Sequence, residues 1–179
     1  MHRLSFGQPL GGIIQFAYVV DEIEAAAERF TDRLRVGPWF VRGPFTPPAG
    51  RYRGEPTAPL LRLARGFSGH AMVELIQQHD ETPSVYHPVA GERRYGFHHW
   101  ATIAREFDAE LARYAGLGYQ EAYSDQLPSG SRVVYMDTRG ELPGMIEVIE
   151  HTSAQEAVYD AIHRAAIDWD GADPIRQEQ

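Results

Sequence analysis

The chain repeats itself, and the repeat governs what it can build. Gln15-Phe-Ala-Tyr-Val-Val-Asp-Glu-Ile23 aligns with His99-Trp-Ala-Thr-Ile-Ala-Arg-Glu-Phe107: aromatic over aromatic, Ala17 over Ala101, Glu22 over Glu106, Ile23 over Phe107. Self-similarity of this kind marks one supersecondary unit used twice. Each segment runs into a helical pattern. Ile23, Ala26, Ala27, Phe30 and Leu34 recur at three- and four-residue steps, as do Phe107, Leu111 and Tyr114. Glycines at Gly37 and Gly118 mark the expected helix ends.

The tails of the repeat match more closely. Met72-Val-Glu-Leu-Ile76 lies over Met145-Ile-Glu-Val-Ile149, both rich in branched residues and bounded by turn formers. They read as strands. Leu60 to Ala64 and Arg132 to Asp137 precede them as further strands, and Trp39 to Val41 and Tyr119 to Tyr123 follow the helices. Each half is therefore strand, helix, strand, strand, strand, an α+β arrangement of paired βαβββ modules. Module one covers about 13–79, a linker 80–96, and module two about 97–151, within a domain of residues 1–152. Gln15 and Glu74 are 59 positions apart and His99 and Glu147 are 48 apart; the excess falls in Gly43 to Pro59, whose prolines and glycines predict an irregular loop. A C-terminal helix and tail occupy 153–179. Ser153 and Glu156 form a capping box, and Val158, Ile162, Ala165 and Trp169 form a stripe expected to pack on the outer face of the sheet and to stop near Gly171.

Composition narrows the chemistry. With no cysteine, thiolate nucleophiles, thiolate-bound zinc and iron–sulfur clusters are excluded, and with all 17 basic residues arginine there is no lysine for a Schiff base. The net charge of −8 argues against nucleic acid and anionic membrane surfaces. No apolar run approaches a membrane span and the N-terminus lacks a secretory pattern, so the expected location is cytoplasmic.

Four polar residues take equivalent places in the repeat. Side chains alternate along a strand, so Glu74 shares a face with Met72 and Ile76, and Glu147 with Met145 and Ile149. A carboxylate on an apolar face is costly unless solvated, paired or bound to metal. Gln15 and His99 open the first strands of their halves. Two modules side by side bring Gln15, Glu74, His99 and Glu147 together: an amide, an imidazole and two carboxylates. That set suits Zn²⁺, Ni²⁺, Co²⁺ or Mn²⁺, and Fe²⁺ less well. Without metal, the same glutamates line a solvated concavity. His98 is expected to face away from His99 in a packing or supporting role. His70, His79, His87 and His151 are expected at solvated positions, and Tyr18, Trp39, Phe40, Trp100 and Tyr135 in the core.

The paired modules, with Val73-Glu74-Leu75-Ile76, Gly96-Phe-His-His-Trp100 and Ile146-Glu147-Val148-Ile149 in this order over residues 13–151, resemble the vicinal oxygen chelate superfamily. Its members include glyoxalase I, methylmalonyl-CoA epimerases, extradiol dioxygenases and metal-free bleomycin-resistance binders. The resemblance implies a curved mixed sheet around a central cavity, a divalent metal on Gln15, Glu74, His99 and Glu147, a small-molecule substrate that is apolar or carbonyl-containing, and a site that forms within one chain or across a homodimer. The set resembles the Gln, Glu, His, Glu of eukaryotic-type glyoxalases. Epimerases place His first and Gln second, whereas the doubled His98-His99 resembles them. The implied activity is a glyoxalase-type lyase or isomerase that moves a proton next to a carbonyl through an enediolate, with Glu147 or Glu74 as the base. The alternatives are a metal-free binding protein and, less well matched, an extradiol dioxygenase.

Overall fold

A computed structural model describes residues 3–87 and 95–178; the middle of the expected linker, 88–94, lies outside them. The repeat is realised as two copies of one element order. β1 (Ile13–Val19) leads into α1 (Ile23–Leu34), β2 (Trp39–Phe45), β3 (Arg51–Tyr52), β4 (Glu55–Pro56), β5 (Leu61–Ser68) and β6 (Ala71–Gln78). The second copy is β7 (Gly96–Ala104), α2 (Phe107–Gly116), β8 (Gln120–Gln126), β9 (Arg132–Asp137) and β10 (Met145–Glu150); α3 (Ser153–Ala166) and β11 (Ile175–Gln177) follow.

All the strands join one mixed sheet in the order β11-β2-β5-β6-β1-β7-β10-β9-β8-β3-β4. Its middle obeys a local two-fold. β1 and β7 run antiparallel, so that Gln15 pairs with Ala101 as His99 pairs with Ala17. The flanking parallel pairings copy one another: Gln15 with Met72 and Ala17 with Glu74 on one side, His99 with Met145 and Ala101 with Glu147 on the other.

Strand alternation sorts the core into faces. Val73, Leu75 and Trp39 turn outward and bury Ile23, Ala26 and Ala27 of α1; Val134, Met136, Ile146 and Val148 do the same for Phe107 and Tyr114 of α2. Each large side chain so buried contributes about 1.5–3 kcal/mol, enough to fix both helices on the convex side. The inner face carries Leu61, Leu63, Met72, Ile76, Ala101, Val133 and Ile149. Among the described residues no helix is long and apolar enough to cross a membrane.

Four expectations are corrected. The C-terminal helix does not lie on the outer face: Tyr159 and Ile162 pack with Leu4, Phe6 and Phe67 in the inner-face cluster, and α3 leans on β5. The outer face is already taken by α1 and α2. The cap of α3 is Thr152, whose hydroxyl accepts from the Gln155 amide at 3.1 Å; Glu156 instead accepts from the Ser5 amide and meets His151 at 2.7 Å. The helix ends at Ala166, and its buried stripe is Gln155, Tyr159 and Ile162. The 43–59 segment is not wholly irregular either. β3 and β4 form a small hairpin that pairs with β8 at the far edge of module two. The helix ends fall near the expected glycines, although Arg35 (φ 55°), and not Gly37, is the left-handed cap of α1.

Candidate functional site

The two-fold at the β1–β7 seam carries the four expected residues to one point on the inner face. Gln15, Glu74, His99 and Glu147 are all buried, exposed by 5% or less. The Gln15 Nε2 lies 3.0 Å from Glu74 Oε2, 3.3 Å from His99 Nε2 and 3.5 Å from Glu147 Oε2. His99 Nε2 lies 3.2 Å from Glu147 Oε2 and 3.9 Å from Glu74 Oε2. One chain supplies all four. The Gln15 Oε1 is buried without a hydrogen-bond partner. Among the described residues no group of three or more histidine, aspartate or glutamate side chains is arranged to hold a metal ion; the Gln15 amide nitrogen, a donor, lies among the three acceptors.

His98 departs from expectation. The β1–β7 register passes from His99 opposite Ala17 to Phe97 opposite Tyr18, leaving His98 without a partner across the ladder. Such a bulge turns the extra residue out of strict alternation, and His98 reaches the same side as His99 with Nδ1 to Nδ1 at 2.9 Å. Gly144 backs the bulge with φ +80°; a Cβ there would stand 2.5 Å from the His98 carbonyl oxygen.

Proton accounting then fixes both rings. His98 Nε2 lies 3.0 Å from the Val85 carbonyl oxygen, which can only accept, so Nε2 carries the hydrogen and donates. Its Nδ1 is left as acceptor and takes the Nδ1–H of His99. His99 Nε2 is therefore a bare lone pair aimed between the two glutamates. Burial keeps both rings neutral, holding His98 down at about 3 and His99 at about 4.

The two glutamates differ. Glu74 accepts from Arg65 Nε at 2.7 Å. Burial pushes its carboxyl up, and the Arg65 charge opposes that. Arg65 is itself buried and is held by Glu178, at 3.3 Å, from the chain's tail. β11 delivers that tail by pairing in parallel with β2. Among the described residues Glu147 has no such pair with an arginine. Burial raises it to about 7, against the Tyr135 hydroxyl and the more distant Arg65. A narrow cleft opens beside the glutamates, lined by Arg42, Leu63, Tyr86, Tyr123 and Tyr135 among others. Tyr86 and Tyr135 join hydroxyls at 2.9 Å.

The sequence reading had not singled out Arg65, Arg42, Tyr86 or Glu178 for the site. Arg65 carries the signal that flagged Glu74: a charge alternating with Leu61, Leu63 and Phe67 on an apolar face. Tyr135 lies in the core as expected and also borders the cleft, whereas His87, expected in solvent, is 2% exposed. His70 and His79 are exposed as expected, and His151 is half-buried.

Comparison with known proteins agrees with this architecture. Residues 14–135 match the profile of the Glyoxalase/Bleomycin resistance protein/Dioxygenase superfamily. The fold is similar to methylmalonyl-CoA epimerase from Mycobacterium tuberculosis, with TM-score 0.56 and 17% identity over 83% of this chain and 93% of that one. It is similar also to a Streptomyces coelicolor methylmalonyl-CoA epimerase variant in complex with 2-nitronate-propionyl-CoA, with TM-score 0.55 and 18% identity over 82% and 98%. At such identity the likeness is one of fold. No curated protein sequence matches the chain. The chain belongs to the Glyoxalase/Bleomycin resistance protein/Dioxygenase superfamily.

Proposed function

We propose that this chain is a divalent-metal isomerase or lyase of the glyoxalase type, acting on a small carbonyl compound, with Gln15, Glu74, His99 and Glu147 as the metal-holding set and Glu147 as the base. The observation that carries the reading is the crowding of acceptors. The bare Nε2 of His99 stands 3.2 Å from Glu147 Oε2 and 3.9 Å from Glu74 Oε2, around one amide. Acceptors at that spacing repel one another unless a proton or a cation lies between them.

With the Gln15 amide turned, the chemistry and spacing of the set suit a metal. Bonds of about 2.1 Å place neighbouring ligands about 3.0 Å apart in an octahedron and about 3.4 Å apart in a tetrahedron. The observed separations, 3.0 to 3.9 Å, span those values. Turning the Gln15 amide by half a rotation, an assignment that rests on hydrogen bonding alone, brings its orphaned oxygen into the set. His99 already donates its other ring N–H, as a metal-ligating histidine does.

When bound, a divalent ion polarises a carbonyl and acidifies the neighbouring C–H. Glu147 takes that proton. It then returns the proton to a neighbouring carbon or to the opposite face. Glu74, tied to Arg65, is held in place. Leu61, Leu63 and Val133 in the cleft wall hold the apolar part of the substrate and keep water from competing for the proton.

Deuterium wash-in tests the reading without knowledge of the product. In heavy water with zinc or manganese added, the wild type exchanges the C–H beside the carbonyl of a 2-hydroxyketone or thioester probe, followed by proton NMR. Glu147→Gln with intact circular dichroism loses the exchange. Exchange at the wild-type rate in Glu147→Gln removes Glu147 from the chemistry.

A further inference from the structure

Arg42 is the feature of the cleft that the proton-transfer reading leaves unused. It sits on β2 opposite Leu63 of β5, and strand alternation gives it the inner face that Leu63 and Arg65 share. Its backbone lies two strands from that of Glu74, about 12 Å away, so the guanidinium and the glutamates border one cleft from opposite ends. It also borders the smaller space beside Ser129, Gln155 and Glu178.

Glu147 apart, the other charges of this region are answered. Arg65 has Glu74 and Glu178. The carboxyl of Asp125 accepts from the Ala49 amide at 3.1 Å, and the Gln126 amide and Tyr123 hydroxyl also hold it down against burial. Arg42 alone, half-buried, has neither a hydrogen bond nor an ion pair among the described residues. Its guanidinium rests on the Phe45 ring at 4.0 Å, which fixes the plane and leaves its edge free. Burial and the neighbouring Arg65 charge disfavour its charged form, and the more distant carboxylates of Glu178, Asp125 and Glu74 offset them only in part. An arginine held in this way presents several N–H donors in a rigid fork matched to a carboxylate.

We infer that Arg42 is the anion-binding residue of the cleft and that the substrate is a small carbonyl compound bearing a carboxylate, with the carboxylate on Arg42 and the carbonyl toward Glu147. This assignment rests on the proposed reading of the cleft as a carbonyl site. Leu61, Leu63, Val133 and Tyr123 form the apolar walls between the two ends, so the body of the molecule is alkyl or aryl.

Calorimetric titration with hydrocinnamate and with its uncharged amide, hydrocinnamamide, isolates the carboxylate, because the two differ little in shape. Both are titrated into the protein as purified and again after chelator treatment. The wild type binds the carboxylate at least about 10-fold more tightly than the amide in both states. Arg42→Met, which keeps most of the stem over Phe45, loses that preference at an unchanged melting temperature. Arg42→Lys keeps part of it, since a point charge replaces the fork. Equal binding of the two probes, no binding of either, or a preference that survives in Arg42→Met overturns the assignment. Zinc titrated alone into wild type and Arg42→Met separates the two readings. Equal zinc affinity with lost carboxylate preference supports both. Carboxylate preference with no zinc binding leaves Arg42 assigned and refutes the metal, and zinc binding with no carboxylate preference does the reverse.

Discussion

Glu147→Gln makes the energetics of the site measurable apart from turnover. A buried carboxyl raised from 4.5 to about 7 costs about 3 kcal/mol more to ionise in the folded protein than in the unfolded chain. The sign follows from the direction of the shift. The stability lost to this group is nil below pH 4.5, grows as pH rises toward 7, and is level above. Glutamine keeps the shape, carries no charge, and can donate to the His99 Nε2 that lies 3.2 Å from the glutamate oxygen. In chelator at pH 8 the variant should therefore be more stable than wild type by about 3 kcal/mol, or roughly 6–12 °C in Tm for a chain of this size. At pH 5 the difference should shrink to a small fraction of that. Saturating zinc should reverse the order at pH 8, because ligand at about a thousand times Kd adds about 4 kcal/mol to the form that binds it. The assay is thermal unfolding followed by circular dichroism, run at both pH values with and without zinc. A variant less stable than wild type in chelator at pH 8, or a difference that ignores pH, refutes the claim that Glu147 is held as a strained carboxylate awaiting a cation.

Other predictions test the supports of the site. His98→Ala removes the acceptor that fixes the His99 tautomer, and zinc affinity should fall about 10- to 100-fold in a calorimetric titration, with little change in melting temperature without metal. Arg65→Met leaves Glu74 buried without its ion pair and should cost about 3–5 kcal/mol in urea unfolding at pH 7; a loss below 1 kcal/mol would show that Glu74 does not depend on that pair. Zinc binding at pH 6 should release about one proton, carried by Glu147 in the free protein. Titration in buffers of different ionisation heat reads that number, which should fall toward zero at pH 9, since His99 is already neutral throughout.

Much of this was legible in the sequence for one reason. The repeat fixes symmetry, and symmetry fixes which residues meet. Gln15 and His99 each begin a module, and Glu74 and Glu147 each sit two residues from a matched apolar pair, so alternation and a two-fold sufficed to bring them together. Irregular features were not legible. The β7 bulge that turns His98 toward His99 depends on Gly144 packing against the His98 carbonyl, a contact between segments far apart in the chain. The place of α3 depends on which sheet face the first two helices leave open, and its stripe of Tyr159 and Ile162 is equally consistent with either. Arg65 could have been found, because it breaks an apolar alternation just as Glu74 does. Arg42 could not, since Gly43 and Pro44 beside it read as the start of a loop, whereas β2 continues to Phe45.

The central claim is that four buried side chains form a metal-holding set, and metal content tests it most directly. Elemental mass spectrometry of gently purified protein, beside a variant with Gln15, Glu74, His99 and Glu147 all replaced by alanine, should find about one zinc, nickel, cobalt or manganese ion per wild-type chain and none in the variant. Wild-type protein that takes up none of these ions, even after incubation with each, would contradict the account and leave the cleft as a metal-free binding site.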